Sequence, residues 1–266
     1  MNVTSVRGVD LATDLSGTGP TLVWGHGLSS SMAKEDLFGL LDWPTVRHVA
    51  RVLRYDARGH GESESTAEPM DYHWRNLALD QLALADELGI GSYIAGGASM
   101  GCATALHAAL LAPDRITALL LAIPPTAWES RAAQQGTYEV SAQLVESGEI
   151  DLLVAGSRAA PSPDPLAGIP QWKDGAEAAL RAADPVRLAR IFRGAAVADF
   201  PPVDAIATLR IPTMILAWTG DPGHPMSTAN RLVELMPHAE LVTASTFEEL
   251  VGWTSEAMSF LATLPR

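Results

Sequence analysis

Apolar residues along this chain cluster in short runs, mostly about four to seven long, separated by helix-length stretches with apolar positions three and four apart. Runs this short predict buried strands, and their alternation with helical segments predicts a sheet covered by helices on both faces. Thr21 to Trp24, Val52 to Tyr55, Tyr93 to Ala95, Ile116 to Ala122, Thr213 to Ala217 and Leu241 to Thr243 read as strands. Trp74 to Leu88 has helical Leu and Ala spacing and stops at Gly89. Met100 to Leu111 is small and apolar almost all round, as in a helix buried beside a central strand. Met226 to Met236 and Glu248 to Leu264 read as the last helices.

One interval breaks this rhythm. Between the strand ending near Ile123 and the strand at Thr213 lie roughly ninety residues without a strong strand, too many for an ordinary connection. The interval holds Ala-rich helical stretches, Trp128, Trp172 and the Pro-rich loop from Ala160 to Pro165. It predicts a helical cap, residues 124–208, over the carboxyl ends of the strands, inserted between two core segments, 1–123 and 209–266.

Composition narrows the partners. The 31 acidic and 18 basic residues give a formal charge of -13, the wrong sign for nucleic acid or an anionic membrane. A single cysteine, Cys102, allows no internal disulfide and suits a reducing compartment. The amino terminus lacks the basic start and apolar run of a signal peptide. No apolar stretch approaches the roughly 20 residues that span a bilayer. These features predict a cytoplasmic protein whose partner is a small molecule. No Cys/His or His-x-x-Glu cluster stands at metal-ligand spacing, and no phosphate-binding glycine pattern appears, so no metal or cofactor is implied.

The chemistry concentrates in Gly97-Ala98-Ser99-Met100-Gly101, a G-x-S-x-G segment that follows an apolar strand and opens a helix. That context describes a nucleophile elbow, in which a strained strand-to-helix turn raises a serine hydroxyl above the sheet edge. Three further segments stand in order around it: WGHGL at Trp24 to Leu28, RYDARGHGES at Arg54 to Ser63 and AWTGDPGHP at Ala217 to Pro225. Together they resemble the α/β-hydrolase family, within it the capped esterases, lactonases and cofactor-free haloperoxidase-like enzymes. The resemblance covers the chain apart from the cap. It implies an α/β fold with a mainly parallel eight-stranded sheet, helices on both faces and a helical cap insertion.

It also implies roles. Ser99 is the expected nucleophile, and the backbone amides of Leu28 and Met100 the expected oxyanion donors, each worth about 3–4 kcal/mol of transition-state stabilisation in comparable sites. Asp221 matches the family's acid, which holds the catalytic imidazole in one tautomer; as a plain structural residue it would instead cap a turn before Pro222. His26 and His60 match loop-packing positions. Trp24, Trp128 and Trp218, with Trp172, are expected to line an aromatic cavity.

The chain departs from the family where the base belongs. The family carries Gly-His after its last strand, whereas here Ala244 to Leu250 runs almost directly into the final helix, and no histidine follows His238. His107 lies about two helical turns from Ser99, roughly 12 Å away. His48 and His238 precede strands at their far ends, and His73 begins a flanking helix. His224 alone shares a loop with Asp221, either as base or as a residue lining the pocket. Three functions fit the sequence: hydrolysis of a small apolar ester or lactone, a lyase, isomerase or cyclase reaction with Asp221 as base, and ligand binding without catalysis.

Overall fold

The protein is described by a computed structural model covering residues 2–265; Met1 and Arg266, the outer limits of the two expected core segments, lie outside the described residues. Eight strands form one sheet: β1 (Asn2–Val6), β2 (Val9–Gly17), β3 (Thr21–Gly25), β4 (Arg51–Tyr55), β5 (Tyr93–Ala98), β6 (Ile116–Ala122), β7 (Thr213–Trp218) and β8 (Ala239–Ala244). Their order is β1-β2-β4-β3-β5-β6-β7-β8, with β2 antiparallel to both its neighbours and every other adjacent pair parallel. The six strands read from the sequence are present, each within a few residues of its expected bounds. The hairpin β1–β2 was not legible as strands, because most of its outward side chains are polar, as edge strands tolerate. It turns through Arg7 and Gly8, both at positive φ.

Alternation along the central strands splits the core in two. On β6, Leu119 and Leu121 face one apolar cluster while Ala118, Leu120 and Ala122 face the other. That two-residue period is the geometry of a sheet buried on both sides. Helices Trp74–Glu87 and Met100–Leu111 supply the first cluster, and Phe247–Thr263 supplies the second.

Between β6 and β7 lie the helices Arg131–Glu146, Ile150–Ala159, Pro170–Ala182 and Pro185–Ala196. Ala142, Val145, Leu188, Ala189 and Phe192 form their own apolar cluster. Arg131 anchors the neck of the insertion: buried at 1% exposure, it donates to Ala198 O and Ala195 O and lies 4.1 Å over the Trp74 ring. Ala198, Phe200 and Ile206, inside the expected 124–208 segment, pack with the core instead. No helix among the described residues is long and apolar enough to cross a membrane.

Candidate active site

β5 ends in the turn carrying Ser99, whose backbone sits at φ 51°, ψ -108°. A non-glycine residue held there costs of order 1–3 kcal/mol, sustained only when its surroundings dictate it. They do: Ser99 N donates to Ala122 O at 2.9 Å, and Ser99 O accepts from Cys102 N at 2.9 Å. A Cβ on Gly101 would lie 2.0 Å from Gly25 O, and one on Gly97 would lie 2.5 Å from the Gly101 carbonyl carbon. Only glycine lets β3, β5 and the helix approach so closely. Four of the five positive-φ non-glycine residues in the described chain (Ser29, Ser99, Ile123 and Trp128) gather at this edge of the sheet.

The loop after β3 lies against the serine, since a Cβ on Gly27 would stand 3.5 Å from Ser99 Cβ. The amide of Leu28, next in that loop, makes no hydrogen bond among the described residues. Met100 N opens a helix and has no carbonyl one turn back. Neither amide named from the sequence is spent on a backbone acceptor among the described residues.

The imidazole nearest Ser99 comes from the connection after β7. His224 Nε2 lies 2.9 Å from Ser99 Oγ, and its Nδ1 lies 2.7 Å from Asp221 Oδ2. A carboxylate only accepts, so Nδ1 carries the proton and Nε2 presents its lone pair to the serine hydroxyl. Local turn chemistry brings acid and imidazole together. Asp221-Pro222-Gly223-His224 is a β-turn closed by His224 N donating to Asp221 O at 3.2 Å, while Gly223 N donates to Asp221 Oδ1 at 2.8 Å. Asp first and Pro second is a common turn pattern, and an Asp oxygen bonded two residues on is an Asx turn. Asp221 thus both caps the turn and holds the His224 ring.

Trp218 Nε1 donates to the same Asp221 Oδ2 at 3.0 Å. Burial pushes the Asp221 carboxyl up, but the hydrogen bonds from His224, Gly223 and Trp218 outweigh it and hold the group below the usual carboxylate range.

The other histidines stand apart. His26 is buried, and burial holds it down to about 4; its Nε2 accepts from Ala57 N, and its Nδ1 donates to Gly27 O. His60 packs 4.9 Å from it, held down to about 3 by burial. His107 reaches Asp199 O across the flank, and His238 O accepts from Thr213 N at the opposite end of the sheet.

Of the tryptophans expected along a cavity, Trp24 is a core residue, 1% exposed. It packs edge-on against Trp43 with its Nε1 on Glu35. β3 points this side chain away from the Ser99 loop and into the second cluster. Trp218 is equally buried but touches the acid, a contact that cavity composition did not reveal; its place three residues before Asp221 was the available signal. Trp128 is half-buried at the neck of the insertion, with its Nε1 on Pro201 O. Beyond β8, Thr246 and Glu249 form a capping box at the start of the final helix, leaving no loop for a histidine.

The profile of the "Alpha/beta hydrolase family" matches residues 22–250. RutD of Stutzerimonas stutzeri, assigned as a carbamate hydrolase, is 28% identical over 84% of this chain and 82% of its own. A hydrolase structure from Pseudomonas aeruginosa PA01 superposes with TM-score 0.80 at 26% identity, covering 98% of this chain and 99% of that one. The enol-lactonase of Burkholderia xenovorans LB400 has the same fold at TM-score 0.79 and 22% identity, again over 98% and 99% of the two chains. With strand order, elbow and profile in agreement, the chain belongs to the α/β-hydrolase family.

Proposed function

We propose that the protein is a cofactor-free serine hydrolase of small, fairly apolar esters or lactones. Its triad is Ser99, His224 and Asp221, with the 124–208 insertion as a cap. The observation that carries this reading is the continuous chain from Ser99 Oγ through His224 to Asp221 Oδ2, at 2.9 and 2.7 Å.

The chemistry follows from those contacts. Ser99 Oγ attacks the carbonyl carbon as its proton passes to His224 Nε2, and Asp221 stabilises the imidazolium. The Leu28 and Met100 amides hold the oxygen that gains charge. The carbon–oxygen bond to the leaving alcohol breaks, and His224 returns the proton to that alcohol. Water then attacks the acyl-Ser99 carbonyl, giving its proton to His224, and the carboxylic acid leaves as Ser99 is reprotonated.

Preference for apolar substrates rests on the surroundings. Leu28 packs against the insertion's cluster, which includes Tyr138, Leu188 and Phe192. Arg158, Arg181 and Arg193 of the insertion pair with its own carboxylates. The alternative use of Asp221 as a free base loses support, because both its oxygens already accept hydrogen bonds.

A fluorophosphonate probe read by intact-mass spectrometry tests the proposal. Wild type labels rapidly and stoichiometrically, while Ser99→Ala and His224→Ala do not, with folding checked by circular dichroism. A folded wild type that stays unlabelled overturns the serine mechanism.

A further inference from the structure

Resting on the serine-hydrolase reading, we propose that Trp218 is the positioning residue of the triad, and that its contact with Trp172 makes the cap part of the support for the acid–base turn. With acid and base on one short turn, the imidazole has no second loop to orient it. Its aim at Ser99 depends on how that turn is held.

The turn is held at several points. Thr219 N donates to Ala244 O of β8. From the insertion, Asp164 N donates to Thr219 O at 2.9 Å, and Thr126 N donates to Gly223 O at 3.1 Å. The Asp164 carboxyl, the other acidic group packed on this turn, lies so close to Gly220 that an added Cβ would meet it at 2.2 Å.

Trp218 ties these supports to the chemistry. Its ring stacks on Trp253 of the final helix (6.2 Å, 25°), meets Trp172 of the cap edge-on (6.1 Å, 84°) and meets the His224 ring edge-on (6.1 Å, 80°). Its Nε1 and His224 Nδ1 both donate to Asp221 Oδ2. Two donors on one oxygen fix the rotation of the carboxylate. Without the indole donor, Gly223 N on Oδ1 and His224 Nδ1 on Oδ2 still hold the carboxyl, but less tightly, and the imidazole's aim at Ser99 loosens. Trp172 braces the indole from above, so displacement of the Pro170–Ala182 helix is transmitted to Asp221.

The test compares p-nitrophenyl butyrate hydrolysis and fluorophosphonate labelling in wild type, Trp218→Phe, Trp172→Ala and the double variant. Trp218→Phe keeps a buried aromatic ring and removes the donor. It should lower kcat about 10-fold to 100-fold with KM within about twofold, the loss expected for a hydrogen bond to a charged group. The acid limb of its pH–rate profile should move to higher pH, because a carboxylate relieved of one donor stabilises the imidazolium more. Trp172→Ala should lower kcat about threefold to tenfold, with little further loss in the double variant. An unchanged kcat and pH limb in Trp218→Phe overturns the positioning role, and multiplicative losses in the double variant overturn the link to the cap. If wild type neither labels nor hydrolyses ester, the serine-hydrolase reading fails on its own. Nitrogen-15 spectra of the His224 imidazole then decide the positioning role: a Nδ1–H tautomer held in wild type and mixed in Trp218→Phe supports it, and an identical tautomer in both overturns it.

Discussion

Two connections leave neighbouring strands at the same edge of the sheet, and they are built to opposite ends. The one after β7, from Thr219 to Pro225, is a turn whose side chains reach outward to Ser99. The one after β8 is only Ser245 and Thr246, and its polar groups turn inward. Glu249 Oε2 accepts from Ser245 N, Ser245 Oγ and Thr246 N, while Thr246 Oγ1 accepts from Glu249 N. The first connection presents an imidazole to Ser99, and the second satisfies the open end of a helix. Because β7 and β8 are paired in register, Trp218 opposite Ala244, a histidine from either connection starts at the same edge. Which connection supplies it depends on which has residues free of capping duty.

The largest expected effect breaks the first connection. His224→Ala should cut turnover by about 10⁴ to 10⁶, the scale of losing the base in other serine hydrolases, read as kcat on p-nitrophenyl butyrate. Asp221→Asn, which leaves the turn but favours the wrong imidazole tautomer, should cost about 10⁴ in kcat.

A smaller effect comes from three histidines outside that connection. His26, His60 and His107 are held down to about 4, 3 and 4, chiefly by burial. Below about pH 6.5 the unfolded chain binds protons at these sites that the folded chain refuses, so stability falls as pH drops from about 6.5 towards 4. Glu35 has the opposite sign. Burial pushes it up to about 7, so the folded chain keeps a proton that the unfolded chain releases, and stability falls as pH rises from about 4.5 to 7. Three groups outweigh one. Urea unfolding should therefore show roughly 2–4 kcal/mol less stability at pH 5 than at pH 7. Equal values at the two pH values would mean that these histidines accept protons in the fold.

The smallest effect probes the second connection. Thr246→Ala removes a helix cap and should cost about 1 kcal/mol in urea unfolding with kcat unchanged. Loss of activity without loss of stability would place Thr246 in the reaction instead. Adding Thr246→His to His224→Ala should not restore turnover, since that residue faces the helix end.

Much of this was legible in particular residues. The central strands announced themselves by apolar runs, and Ser99 by the glycines that let three backbones meet. The hairpin β1–β2 escaped because polar outward residues mask an edge strand. Asp221-Pro222-Gly223-His224 carried more than composition shows: its turn pattern by itself brings acid and imidazole side by side. Trp24 and Trp218 look alike in sequence, yet one packs against Trp43 in the core and the other donates to the acid.

Local sequence determined the individual strands and helices, the Asp–His turn and the closed cap after β8, because each rests on backbone preferences and hydrogen bonds within a few residues. Only the tertiary structure decided that His224 Nε2 reaches a serine 125 positions away and that Trp218 shares the acid with it. Those contacts depend on β5, β6 and β7 lying side by side in one sheet. Spacing along the chain carries no record of distances across strands.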